Sequence, residues 1–100
     1  MVQHIVIFRL RDDIAPAEKA RVMQQFKSAI EALPAVISSI RHIHVGLNIN
    51  ADEACDICLN SSFDTLEEVR AYAAHPAHLA AAGALKPYVA ARSCVDYSAD

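Results

Sequence analysis

Val2–Leu10 opens the chain with Val2, Ile5, Val6 and Ile7, so apolar residues, most of them β-branched, fall on both parities of a two-residue period. Side chains of a strand alternate between faces, and a strand that is apolar on both parities must be covered on both. Such a strand belongs in the middle of a sheet. With 100 residues, the chain has material for one sheet, one core and one domain spanning 1–100.

The segments that follow are arranged around that strand. Arg11-Asp12-Asp13 ends it, and Pro16 suits the first turn of a helix, with Glu18 near its positive end. Val22, Phe26, Ile30 and Leu33 form one helical stripe, which Pro34 stops. Val36–Ile49 is expected as a second extended segment, with Ile43, Val45 and Leu47 on one face and His42, His44 and Gly46 on the other. Asn48–Glu53 is a turn, and Cys55–Phe63 a third strand. Thr65 and Glu68 have capping-box spacing, in which each side chain would satisfy a free backbone N–H of the next helix. Pro76 divides that helix in two, Lys86-Pro87 closes the second piece, and Arg92–Ser98 is expected as the last strand. The order is the ferredoxin-like βαββαβ pattern: an α+β fold with one antiparallel four-stranded sheet and helices on one face. The other face still carries Ile and Val, with nothing left in the chain to cover it. A homodimer packed sheet to sheet is therefore expected.

Composition narrows the function. Nine Lys+Arg against twelve Asp+Glu give a net charge of −3 without a basic block, which disfavours nucleic acid as a partner. The apolar runs are too short to span a membrane. The first residues lack the charged start and cleavable core of an export signal, so the expected compartment is the cytoplasm. Three cysteines, Cys55, Cys58 and Cys94, do not make a disulfide framework.

A set of words along the chain carries a resemblance. His4-Ile5-Val6-Ile7-Phe8-Arg9-Leu10-Arg11-Asp12, Leu33-Pro34-Ala35-Val36, Val45-Gly46, Phe63-Asp64-Thr65-Leu66 and Val95-Asp96-Tyr97 resemble, in order, the Dabb family of stress-responsive dimeric α/β-barrel proteins. The most specific word is His75-Pro76-Ala77-His78, preceded by Tyr72. The resemblance covers essentially the whole chain. It implies a homodimer whose two sheets form a barrel, with a small-molecule pocket between sheet and helices. One branch of the family, the olivetolic acid cyclase type, closes poly-β-ketones by an aldol condensation with no cofactor. Carried over, its site matches His4, Tyr72 and His78, with Asp56 standing where that branch has a further pocket histidine.

The residues have their own chemistry. His75 precedes proline and belongs at the joint between two helices, where it either caps or contacts substrate. His78 falls in the first turn after the joint, where the helix dipole disfavours a positive charge, and a neutral imidazole can act as a general base. Tyr72 can polarise a carbonyl, or can pack its ring in the core with its hydroxyl in water. His4 sits mid-strand and can orient a bound carbonyl or simply be satisfied in place. Val6, Phe8 and Phe26 are expected to line the cavity, with His75 and Asp56 as further binding residues. No metal site and no cofactor are expected. Cys55 and Cys58 point to opposite faces of a strand, and His42 with His44 reads as a surface or dimer-face pair. Two main functional readings follow: a cofactor-free lyase or cyclase on β-keto or polyketide-like substrates with His78 as base, or a non-catalytic, stress-associated small-molecule-binding dimer. A metal- and flavin-free monooxygenase of the same topology is a third, without a residue word to support it.

Overall fold

A computed structural model describes residues 1–99. Its strands are β1 (Val2–Leu10), β2 (His42–Leu47), β3 (Ile57–Phe63) and β4 (Val89–Ser98), and its helices are α1 (Pro16–Glu31), α2 (Leu66–Ala74) and α3 (Pro76–Leu85). The strands form one antiparallel sheet in the order β2-β3-β1-β4, with β1 central. This is the ferredoxin-like α+β fold. No helix among the described residues is long and apolar enough to cross a membrane.

The register decides which side chains meet. His4, Val6 and Phe8 oppose Ser61, Leu59 and Ile57 on β3, and Asp96, Cys94 and Arg92 on β4. In an antiparallel ladder, opposed residues share a face. This face is covered by the helices, and Val6, Leu59 and Val45 are buried there with Phe26 and Ile30 of α1. The other face carries Ile5, Ile7, Val95 and Tyr97, and the last three are exposed.

Helix ends follow local chemistry. Pro16 starts α1, whose Val22, Phe26 and Ile30 are buried. Thr65 caps α2 by accepting from the Glu68 N–H at 3.1 Å. The reciprocal half differs from the expected box: the Glu68 carboxylate accepts from the Thr65 hydroxyl, not from its backbone N–H. At the β2 edge, Glu31 accepts from the Val45 N–H and Lys27 donates to the Val45 carbonyl, so α1 side chains close groups that would otherwise invite another strand.

Three boundaries differ from expectation. The second strand starts at His42, not Val36, because Leu33–Ala35 forms a 3-10 turn and Ile37 N–H bonds back to Leu33. Ile37 and Ile40 serve as buried plugs in irregular backbone. The third strand starts at Ile57, after Cys55. The fourth begins earlier, at Val89, which pairs with Leu10 past a register shift at Arg9/Leu10.

Candidate functional site

The break between α2 and α3 builds the centre of the site. His75 sits before Pro76 in extended conformation, φ −66° and ψ 136°, as its position before proline requires. Its Nδ1 accepts from the Ala77 N–H at 3.0 Å and caps α3. In a continuous helix that N–H would have bonded to the Ala73 carbonyl. The carbonyl is left free, and Nδ1 of His78 fills the vacancy at 3.0 Å. A carbonyl only accepts, so Nδ1 carries the hydrogen and Nε2 of neutral His78 holds the lone pair. Burial pushes the imidazole below its ordinary pKa; the Ala73 bond opposes this, and the charges of His4 and Arg92 add to it. The direction is the one expected from the helix dipole, but its main cause is desolvation.

Tyr72, in the last turn of α2, packs its ring 4.5 Å from that of His78 and 6.0 Å from that of His4. Phe63 completes the aromatic cluster, 5.1 Å from Tyr72. The Tyr72 hydroxyl is not in water, as one expectation had it. It is buried without a hydrogen-bond partner, and burial pushes the phenol up to about 12. The group therefore stays a protonated donor.

His4 comes from the far end of the chain. Ser61 Oγ donates to the His4 carbonyl at 3.0 Å, fixing the backbone there. On the other side, Asp96 Oδ1 lies 2.5 Å from His4 Nδ1, and Cys94 Sγ lies 3.7 Å from the same nitrogen. His4, Cys94 and Asp96 are the group with metal-ligand spacing among the described residues.

A cavity of about 660 Å³ opens between the sheet and α3. His4, Val6, Phe8, Phe26 and Leu59 line it beside His78, Leu79 and Leu85. Lys86 and Arg92 add two cations, neither in an ion pair among the described residues. A mostly apolar cavity of this size with a few converging polar groups suits a small organic ligand. A smaller hollow of about 390 Å³ between α1 and α3 contains no histidine.

Of the residues expected at the site, His4, Val6, Phe8, Phe26 and His78 lie on the cavity wall. Tyr72 packs against the two histidines but is not part of that wall. Two expectations are corrected. His75 is not on the wall, because its ring nitrogen is spent on the cap. Asp56 is also elsewhere: its carboxylate accepts from the Leu10 N–H at 2.7 Å and pairs with Lys19 at 2.8 Å, so it ties β1 to α1. Asp96, Arg92 and Lys86 were missed. For Asp96 and Arg92 the signal lay in the β1–β4 register, which places Asp96 opposite His4 and Arg92 opposite Phe8. His44 does meet a carboxylate, Glu31 at 3.3 Å, but the same oxygen is held by Lys27 and the Val45 N–H.

Residues 2–99 match the family described as the Stress responsive A/B Barrel Domain, Dabb. The chain belongs to the Dabb family. It is 22% identical over 81 residues to olivetolic acid cyclase of Cannabis sativa, covering 78% of this chain and 76% of that protein. Among solved structures it is similar to a dimeric protein of ferredoxin-like fold from Bacteroides fragilis, with 54% identity and a TM-score of 0.96 over 98% of this chain and 95% of that one. A hydroxynitrile lyase from Passiflora edulis shares the fold at 15% identity, with a TM-score of 0.74 over 99% of this chain and 93% of that one.

Proposed function

We propose that this Dabb protein is a homodimer whose protomers each bind a small carbonyl compound and catalyse cofactor-free proton transfer beside the carbonyl, as an aldol-type cyclase or a lyase does. The observation that carries the reading is the Ala73–His78 hydrogen bond. It fixes the lone pair of His78 on Nε2, in a partly buried ring at an apolar cavity. In the proposed step Nε2 removes a proton from the carbon next to the carbonyl, and the electron pair moves to the carbonyl oxygen as an enolate. The enolate carbon then attacks a second carbonyl, and the proton on His78 passes to the new alkoxide. No electrons enter or leave. His4, held by Asp96, supplies a hydrogen-bonding group beside the base, where an apolar wall strengthens such bonds, and the neutral Tyr72 phenol adds a donor once its sealed hydroxyl turns toward the ligand. Similarity to a cyclase supports the reaction class, and the exposed Ile7, Val95 and Tyr97 face supports the dimer.

The sealed Tyr72 hydroxyl favours a second reading, a binding protein without turnover, because that hydroxyl must move before it can meet a ligand. One experiment separates the two. A 3-oxo ester is incubated with the protein in D₂O, and exchange of its α-hydrogens is followed by proton NMR. Exchange faster than buffer that disappears in His78→Ala supports the enzyme. Saturable binding without accelerated exchange supports the binding protein, and absence of both overturns the site.

A further inference from the structure

We propose that His4, Cys94 and Asp96 bind a soft divalent cation of the zinc class. Cys94 and Asp96 are two apart on β4, so they share a face, and His4 lies directly across the ladder from Asp96. A pair at i and i+2 with a cross-strand partner presents three donors from one sheet face. Three protein donors leave a fourth tetrahedral position to water or a ligand atom. The donor atoms all lie within 4.8 Å of one another.

The way they converge decides what the cluster can do. In a nucleophilic cysteine site the thiol and the carboxylate engage opposite nitrogens of the imidazole, which relays the proton between them. Here Cys94 Sγ and Asp96 Oδ1 both approach Nδ1, at 3.7 and 2.5 Å. Such an arrangement cannot relay, but it can chelate. Metal–ligand bonds of about 2.0–2.3 Å put tetrahedral donors about 3.3–3.6 Å apart. The sulfur–nitrogen spacing is already close to this. The carboxylate has to withdraw by a little under about 1 Å, which follows when a cation replaces the hydrogen between it and the ring. Binding sends the thiol proton to solvent and vacates His4 Nδ1 of its hydrogen, so that Nε2 is the ring nitrogen that carries one. One thiolate, one imidazole and one carboxylate select zinc, or cobalt as its probe, over magnesium or calcium, which need several oxygens. Exposure of Cys94 and Asp96 gives the ion a way in. The cluster shares His4 and Asp96 with the proposed carbonyl site and leaves out its base, His78, so metal titration and α-hydrogen exchange report on the two readings separately.

The test is titration of the reduced, chelator-treated full chain with Co²⁺, read by thiolate-to-cobalt charge transfer, and with Zn²⁺ by calorimetry. One ion per protomer at micromolar concentration is expected. Cys94→Ala should abolish the charge-transfer band, Asp96→Asn should weaken binding at least tenfold, and the double variant Cys55→Ser/Cys58→Ser should bind as wild type. In the unmodified protein Zn²⁺ should shield Cys94, and not Cys55 or Cys58, from alkylation as read by mass spectrometry. The proposal is overturned by the absence of stoichiometric binding, by binding that survives Cys94→Ala, or by a band that follows Cys55 and Cys58.

Discussion

His75 sets the orientation of His78 through two atoms of backbone. By taking the Ala77 amide hydrogen it leaves the Ala73 carbonyl to the His78 ring. The proline between them enforces the arrangement, since Pro76 offers no N–H of its own. A sequence word that reads as a helix break is therefore also a device for choosing a tautomer.

His75→Ala should release the Ala77 N–H and weaken the Ala73–His78 bond. Loss of the cap is expected to cost about 0.5–2 kcal/mol of stability. Nitrogen NMR of the His78 ring, now fixed as the Nδ1–H form, should show a mixture of tautomers in the variant. Retention of a single tautomer would show that His78 is oriented without His75.

The pH profile follows from the depressed pKa of His78. Its base form is neutral, so α-hydrogen exchange should hold through pH 6.5, the ordinary histidine value, and fall only below it. Stability carries the same sign. The unfolded chain binds a proton at His78 more readily than the folded chain, so this residue's contribution is complete above pH 6.5 and is lost as pH falls through the folded pKa. His78→Gln should reduce the acid-side drop in denaturation midpoint. An unchanged slope would show that the folded environment does not oppose protonation.

Tyr72→Phe isolates the buried hydroxyl. An unpartnered polar group costs about 1–3 kcal/mol when sealed from water, so its removal should stabilise the fold by about 1 kcal/mol or more in urea denaturation. If the hydroxyl also serves a bound carbonyl, the same variant should lower kcat with little change in KM. Destabilisation would mean that the hydroxyl has a partner in solution.

Most of the fold was legible because its signals are local. The two-parity apolar run of β1, the Val22–Phe26–Ile30 stripe and the prolines at 16, 34 and 76 each act within a few residues. The His78 environment was legible for the same reason, since Tyr72, His75 and Pro76 are neighbours in sequence. The His4–Asp96 contact joins residues 92 positions apart and depends on the β1–β4 register, which no local pattern specifies. Asp56 misled for a related reason. Alternation assigned it a strand face, but it precedes β3, and its carboxylate turns to the Leu10 amide.

Asp56→Ala should therefore act on stability and not on binding. It leaves a buried Leu10 N–H unpaired, at about 1–3 kcal/mol, and removes an ion pair with partly exposed Lys19 that adds little. Asp56→Asn keeps an acceptor and should cost less. Calorimetric affinity for a carbonyl ligand should match wild type in both variants. A selective loss of affinity with unchanged denaturation would return Asp56 to the site.

The outer sheet face gives the last prediction. Ile7, Val95 and Tyr97 are 37%, 53% and 49% exposed in the protomer, on the face opposite His4. A central strand with apolar residues on both faces is stable only when both are covered, and the helices cover one. Burying this face against a second copy would remove apolar surface worth about 25 cal/mol per Å². Val95→Glu places a charge directly opposite Ile5 in the ladder, on the edge strand beside central β1. Light scattering should give twice the protomer mass for the wild-type chain and a shift toward the protomer in Val95→Glu. Because His4 and His78 lie on the other face, the variant should keep its ligand cavity as long as the protomer stays folded. A wild-type chain that is monomeric and fully folded at micromolar concentration would show that the exposed face tolerates water, and the homodimer would be withdrawn.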